Sequence, residues 1–506
     1  MMRPSAPWRS PAALGAAFIA VLLVSHRLFR PLAGFYQDDW LFLEILRKGG
    51  GLWGGFARYV DIYKSRPVDI VQMPLAFWLA DGRPWAGQLL MTLLEAAEAG
   101  LLFAFALRLT GRRGLAWSVA ILALLYPGRP VLHVWLSISC QLVAHILLLA
   151  SLLLFAGGRR GPALALYAAG ALCYESVVFL PAMLWPLLAR RLGPRRGAAA
   201  LWPYAIAAAL VVFWQTCGMR WFLHASNPKQ PAPELGHILK VFASGFECII
   251  GRVFNLCARS AWPTLAGIRP GYWLAGAAFS GAIAWGLGRA LSGRARRREI
   301  AALLGAAALV YVCGYLPYSL SGGYVPTMYG AGSRVNGTAA WAFGLLWTAA
   351  LALWPGGWRA WPRLGLCAVL AAGLTLANWR FARDYSASWA KQRQVLAAVA
   401  EKVRGIAPGP ATVILTGPTY AGQAVIFDAP YDFGSALRLS TGRADLRGDV
   451  ASWRLHFEKN RVVERPGAKV ELEFSYDALY LFNSSDGSFR RLTGPPDPAW
   501  LYPGLF

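Results

Sequence analysis

The sequence predicts an α-helical polytopic membrane protein with a small C-terminal α+β domain. Three observations carry that prediction. The 506 residues are 57% hydrophobic with a mean hydropathy of +0.42, far more apolar length than one soluble core uses. Basic residues collect in short breaks between the apolar stretches. From residue 380 onward the composition turns soluble, with 16 Lys/Arg against 13 Asp/Glu.

A net charge of +25 raises nucleic acid as a partner class, but its placement argues against it. Residues 1–379 hold 34 Lys/Arg and only 12 Asp/Glu. The excess sits at Arg108, Arg112 and Arg113; at Arg159 and Arg160; at Arg190, Arg191, Arg195 and Arg196; at Arg289, Arg294 and Arg296 to Arg298; and at Arg359 and Arg363. Only Glu299 offsets these clusters. This is the positive-inside pattern, so the breaks face the cytoplasm and meet lipid headgroups. The expected partner is a lipid bilayer and not nucleic acid. The seven cysteines show no CxxC or Cys/His metal spacing, and none lies in 380–506, so they read as core residues.

The first apolar stretch, about 11–29, follows Arg3 and Arg9. Ser25-His26-Arg27-Leu28-Phe29-Arg30 offers no small-residue cleavage site, which favours a retained helix over a signal peptide. Working forward from the basic breaks gives eleven membrane segments: roughly 11–29, 86–107, 114–127, 136–156, 162–175, 176–189, 198–217, 271–290, 299–317, 337–354 and 362–379. Three are shorter than a full span, and the pair around Glu175 reads as broken or partly re-entrant. An odd count puts the N-terminus in the cytoplasm and residues 380–506 outside. It also puts 30–85, 218–270 and 318–336 outside. The setting this implies is a cell membrane, with the C-terminal domain on its outer face, periplasmic or extracellular.

Within the outer loops, 40–60 carries apolar residues at near-helical spacing and predicts an amphipathic helix lying on the membrane. Residues 236–258 look similar. A helix fits 387–404, ended by Pro408-Gly409, with strands at 411–416 and 422–427. Lys469 to Phe474 alternates charged and apolar residues, Ala478 to Phe482 follows, and a turn comes at Asn483 to Gly487.

Carboxylates are scarce before residue 380, and six of the twelve fall between 38 and 81: Asp38, Asp39, Glu44, Asp61, Asp69 and Asp81. Asp38 and Asp39 are adjacent, in Phe35-Tyr36-Gln37-Asp38-Asp39-Trp40. Adjacent carboxylates repel, which raises the apparent pKa of the pair unless a cation compensates. That suits a general base or a ligand for a divalent metal. The competing reading is a polar cap on the first helix, paired with Arg27 or Arg30. Three further combinations stand out. They are Arg66-Pro67 late in the same loop, Tyr174-Glu175 inside an apolar run, and Ser333-Arg334 after Gly322-Gly323-Tyr324-Val325-Pro326. An arginine on the outer side runs against the positive-inside rule and calls for an anionic partner. Lipid phosphate, held by a bidentate guanidinium, and a loop carboxylate are the two candidates. Glu95 and Glu98 lie one turn apart and read as ion-pair or cavity residues, and His133 and His145 as satisfied bundle residues.

In the order and sidedness of these motifs the chain resembles the GT-C superfamily of membrane glycosyltransferases. It is most similar to bacterial relatives of O-antigen glucosyltransferases and protein O-mannosyltransferases. The resemblance covers the membrane region, 1–379; the domain 380–506 matches no subfamily. It implies a polyprenyl-phosphate-sugar donor, hexosyl or pentosyl. The acceptor would be a hydroxyl on a glycan, lipid or protein of the cell envelope, with transfer by inversion on the extracytoplasmic face. Asp38 would be the base, with Asp39 its partner or a metal ligand. Arg66, Glu175, Ser333, Arg334 and Tyr324 would bind substrate. No cofactor is required; a divalent metal ion, Mg or Mn, stays open. Two other classes compete: a transporter or flippase for a lipid-linked or polar solute, and a non-catalytic scaffold. A transporter would favour midplane acids, paired broken helices and internal pseudo-symmetry, whereas here the acids concentrate in an outer loop and no repeat is visible.

Overall fold

The computed structural model describes residues 11–27, 34–219, 221, 234–267, 269–292, 295–353, 360–452, 455–464 and 472–497. Among the described residues five helices are long and apolar enough to cross a membrane: Pro84–Thr110, Leu136–Ala156, Pro194–Gly218, Arg297–Ser319 and Trp361–Val403. A sixth span results if the pair Leu235–Ile249 and Gly251–Ala266, bent by 48°, is taken as one. Shorter apolar helices cover Ala12–His26, Asp69–Ala80, Arg113–Leu125 and Ala339–Leu353. Ten of the eleven predicted segments coincide with helices, but few of them are both long and apolar enough to span; Pro270–Ala290 has 21 residues yet falls outside that set. The exception is 176–189. There the helix Arg160–Cys173 gives way to 3₁₀ turns at Glu175–Val177 and Leu180–Leu184 before Trp185–Leu192. Pro181 and Pro186 interrupt the backbone ladder at this point.

The basic breaks gather at one end of the bundle. Arg112 pairs with Glu299 at 3.5 Å, Arg190 donates to the Leu109 carbonyl, Arg191 to that of Ala156, and Arg363 to that of Leu291. Several large aromatics face outward, among them Trp202, Trp262, Trp285 and Trp361, as lipid-facing and interfacial positions require.

Two buried carboxylates of the long helix are paired. Glu98 is buried on the long helix Pro84–Thr110 and accepts from Arg129 Nη1 at 2.8 Å and Trp341 Nε1 at 2.9 Å, with His145 Nδ1 at 2.7 Å. One turn earlier Glu95 meets His133 Nδ1 at 2.5 Å. Removing one partner strands a buried charge, so Arg129→Met is expected to destabilise the fold by about 3 kcal/mol. Thermal unfolding in detergent checks it.

Three departures from the sequence reading have local causes. The amphipathic stretch 40–60 is two helices, Asp38–Lys48 and Leu52–Ile62, because Gly49-Gly50-Gly51 intervenes, with φ of 72° at Gly50 and 117° at Gly51. The stretch 236–258 is likewise divided, at Ile250-Gly251. The boundary at 379/380 falls inside one continuous helix, Ala360–Val403, since no Pro or Gly lies between 374 and 404 to end it.

Beyond that helix lies a sheet in the order β4-β1-β8-β9: Leu446–Val450, Ala411–Thr416, Leu479–Asn483 and Phe489–Arg491. β1 pairs in parallel with both β4 and β8, and β9 closes the edge antiparallel. β1 is buried at all six positions, as a central parallel strand should be. The predicted strand 422–427 is instead a short hairpin of β2, Tyr420–Ala421, and β3, Ala424–Val425. A separate antiparallel sheet joins β5, Leu455–Phe457, to β6, Arg461–Glu464, and β6 to β7, Leu472–Ser475. The first half of the predicted strand 469–474 lies outside the described residues.

Candidate active site

Asp38 opens the helix Asp38–Lys48, and Asp39 is its next residue. Successive helical side chains point about 100° apart, so the tandem pair cannot serve one cavity. Asp39 is fully buried. Its carboxylate accepts from the backbone N–H of Tyr36 at 3.1 Å, Leu136 at 3.3 Å and Ser137 at 2.7 Å. Burial pushes its pKa up to about 7 despite these bonds. It ties the loop to the segment 136–137 and does not line the cleft described next. Of the residues expected to cap the pair, Arg30 lies outside the described residues, as does the side chain of Arg27.

Asp38 faces a cleft of about 100 Å³, whose polar lining includes Tyr63, Arg66, Asp69, Tyr174, Glu175, Tyr318, Tyr324 and Arg334. The walls come from four distant stretches of chain. Arg66 is held by Glu175 at 2.5 Å and lies over the ring of Tyr174 at 4.6 Å. Arg334 lies over the ring of Tyr324 at 4.8 Å.

Arg334 sits in a 3₁₀ turn, Ala331–Asn336, that is pinned into the bundle. Asn336 Nδ2 donates to the carbonyls of Gly128 at 2.8 Å and Thr327 at 2.7 Å, and Tyr315 Oη donates to Asn336 Oδ1 at 2.7 Å. Gln141 Nε2 donates to the Arg334 carbonyl at 3.2 Å. Ser333 lies outside the cleft; it is buried and its hydroxyl donates to Gly330 O at 2.9 Å, so it shapes the turn.

The two arginines differ in a way the sequence does not disclose. Arg66 is neutralised by Glu175, whereas Arg334 has no ion-pair partner among the described residues, and its Nε is buried without a hydrogen bond. A buried cation without a partner is costly, and the cost falls when an anion enters. Asp38 is the nearest charge of opposite sign to act on it. Burial raises the Asp38 pKa above its usual value of 3.8, while Arg334 and Tyr431 pull it back in part. The cleft thus pairs a carboxylate tuned toward proton acceptance with a cation open to an anionic group.

Asp69 belongs to the cleft and had no assigned role in the sequence reading. It is fully buried, and neither carboxylate oxygen has a hydrogen-bond partner. Burial pushes its pKa up to about 7, with Arg66 opposing and Glu175 adding to the rise. The signal for it was its spacing of three from Arg66, one helical turn, closed by the Asp69 N–H donating to the Arg66 carbonyl at 2.9 Å. Tyr174 and Tyr318 are further wall residues without a prior assignment.

No family model matches the chain, and no curated protein matches it. Among solved structures, the crystal structure of ArnT from Cupriavidus metallidurans in the apo state aligns over 84% of each chain, at 16% identity and a TM-score of 0.43. Likeness at that score does not establish a shared fold.

A resident divalent ion is not suited to these residues. Among the described residues no group of three His, Cys, Asp or Glu side chains could hold a metal. The carboxylate of Asp39, the expected ligand, is taken up by backbone N–H groups. No chemical step below runs through a metal.

Proposed function

We propose that this chain is a membrane glycosyltransferase of the GT-C type. It moves a sugar from a polyprenyl-phosphate donor to an acceptor hydroxyl on the extracytoplasmic face. The observation that carries the reading is the single cleft in which Asp38 faces the unpaired Arg334. The motif order in the sequence supports it, as do the long apolar helices. The acceptor is a cell-envelope glycan, lipid or protein, and the membrane is the bacterial inner membrane.

In this reading the donor phosphate lies against Arg334 and the sugar against Tyr324, Glu175 and Asp69. Asp38 accepts the proton of the acceptor hydroxyl as its oxygen attacks the anomeric carbon. The bond from that carbon to the phosphate oxygen breaks, its electron pair leaves with polyprenyl phosphate, and the anomeric centre inverts. Arg334 is already in place when the phosphate charge develops, which is how preorganised cations lower such barriers. Arg66, held by Glu175, orients that carboxylate and adds positive potential without giving up its partner.

Asp69 gives a second reading of the base, because its carboxylate is buried and unpartnered on the same wall. Parallel substitutions separate the two. With Asp38 as base, Asp38→Asn abolishes transfer and Asp69→Asn retains about a tenth of it, mainly through a weaker KM for donor. The reverse order moves the base to Asp69. The assay follows label from a polyprenyl-phosphate sugar into envelope material in membranes that lack the wild-type chain.

A further inference from the structure

Asp38 is also gripped from above by the C-terminal domain. Gln37, directly before it, has φ of 45° and ψ of −116°, a conformation that L residues seldom adopt. Its Nε2 donates to both carboxylate oxygens of Asp428, at 3.0 and 2.9 Å. Asp428 is itself fixed by Asp432 at the start of the helix Pro430–Thr441. There the Asp432 carboxylate accepts from the backbone N–H of Asp428 at 3.1 Å and of Ala429 at 3.2 Å. Tyr431 of the same helix also interacts electrostatically with the Asp38 carboxylate.

Other contacts close this face. Arg438 grips Glu44 in bidentate fashion at 2.5 and 2.7 Å, and Trp40 Nε1 donates to Gln392 Oε1 at 3.0 Å. Trp40 also stacks on Trp389 at 5.8 Å. Backbone strain persists only where the surroundings over-determine it, and around Gln37 those surroundings come from the distant domain.

We infer that the C-terminal domain completes the catalytic site, with Asp428 and Tyr431 as positioning residues for Asp38. Asp428 acts through Gln37, whose amide it holds at 3.0 and 2.9 Å, and Tyr431, on the same helix as Asp432, through its electrostatic interaction with the Asp38 carboxylate. The inference rests on Asp38 being the base. The titratable and charged groups facing Asp38 are Arg334 from the 3₁₀ turn, Tyr63 from the first outer loop, and Tyr431 and Asp428 from the C-terminal domain. Two of these bear on its protonation with opposite signs. The Tyr431 hydroxyl favours the carboxylate form, while the Asp428 charge disfavours it.

The test measures kcat and donor KM against pH for the full-length chain, as wild type, Tyr431→Phe, Asp428→Asn and Asp38→Asn, with labelled polyprenyl-phosphate sugar in native membranes. Tyr431 is 41% exposed and phenylalanine keeps its ring, so folding is preserved, and a thermal melt verifies this. Tyr431→Phe is expected to move the acid limb of activity up by about one pH unit and lower kcat about tenfold, with donor KM within about twofold. Asp428→Asn moves the same limb to lower pH. Limbs that stay at the wild-type position in both well-folded variants, while Asp38→Asn is dead, overturn the positioning role and leave the base reading standing. A wild-type profile in Asp38→Asn overturns the base reading, and the inference falls with it.

Discussion

Replacing Asp38 with Asn is expected to lower kcat about 1,000-fold, near the middle of what a positioned general base contributes. Asparagine keeps the size and one oxygen but cannot accept the proton. Donor binding should survive, because Arg334, Tyr324 and Glu175 are untouched. The wild-type profile carries a matching signature. Asp38 works only when ionised, and burial holds its pKa above 3.8, so activity is lost as pH falls through that raised value. A donor-saturated rate measurement against pH, on wild type and variant, checks both statements.

Arg334→Gln is expected to cost about 100- to 1,000-fold in kcat/KM, the range seen when one preorganised charge-stabilising donor is lost. Two physical effects combine here. The donor phosphate loses the cleft arginine that has no ion-pair partner among the described residues, and the leaving group loses its charge compensation. Arg334 also lowers the pKa of Asp38, so its removal shifts the acid limb to higher pH. Arg334→Lys restores the charge but not the planar stacking on Tyr324, and recovers only part of the loss. Arg66 cannot substitute, because Glu175 already holds it at 2.5 Å. Titrating donor in steady-state assays separates the KM and kcat components.

The sequence disclosed most of the cleft's charged residues through scarcity. Where carboxylates are rare, Asp38 and Glu175 stand out, and arginines on the less basic side stand out for the same reason. The cleft brings Asp38, Arg66, Glu175, Tyr324 and Arg334 together. Asp39 and Ser333 were named because they adjoin such residues, but adjacency on a helix or a 3₁₀ turn sends neighbouring side chains in different directions. Asp39 consequently bonds the backbone at 136–137, and Ser333 bonds its own turn. A single acid at a helix start, as Asp69 is, has a ready explanation as a favourable helix-dipole partner, so sequence alone gives it no catalytic signal.

Helix positions were legible from hydropathy, while their ends were not. The run 360–403 crosses from apolar to soluble composition without a breaker, and composition alone suggested a boundary where the backbone has none. The grip of Asp428, Tyr431 and Arg438 on residues 37–44 was invisible for a different reason. It joins positions hundreds of residues apart, and no local periodicity records such a contact.

The most direct measurement follows radiolabel from a synthetic polyprenyl-phosphate sugar in membrane vesicles carrying either the wild-type chain or Asp38→Asn, with the donor supplied on the extracytoplasmic face. A panel of hexosyl and pentosyl donors covers the sugar, and the native membranes supply the acceptor. The account predicts that with wild type alone, label from at least one donor leaves the lipid carrier, joins envelope material and releases free polyprenyl phosphate. Equal transfer by Asp38→Asn, or intact donor throughout the panel with wild type while a lipid or solute crosses the vesicle membrane, would contradict it.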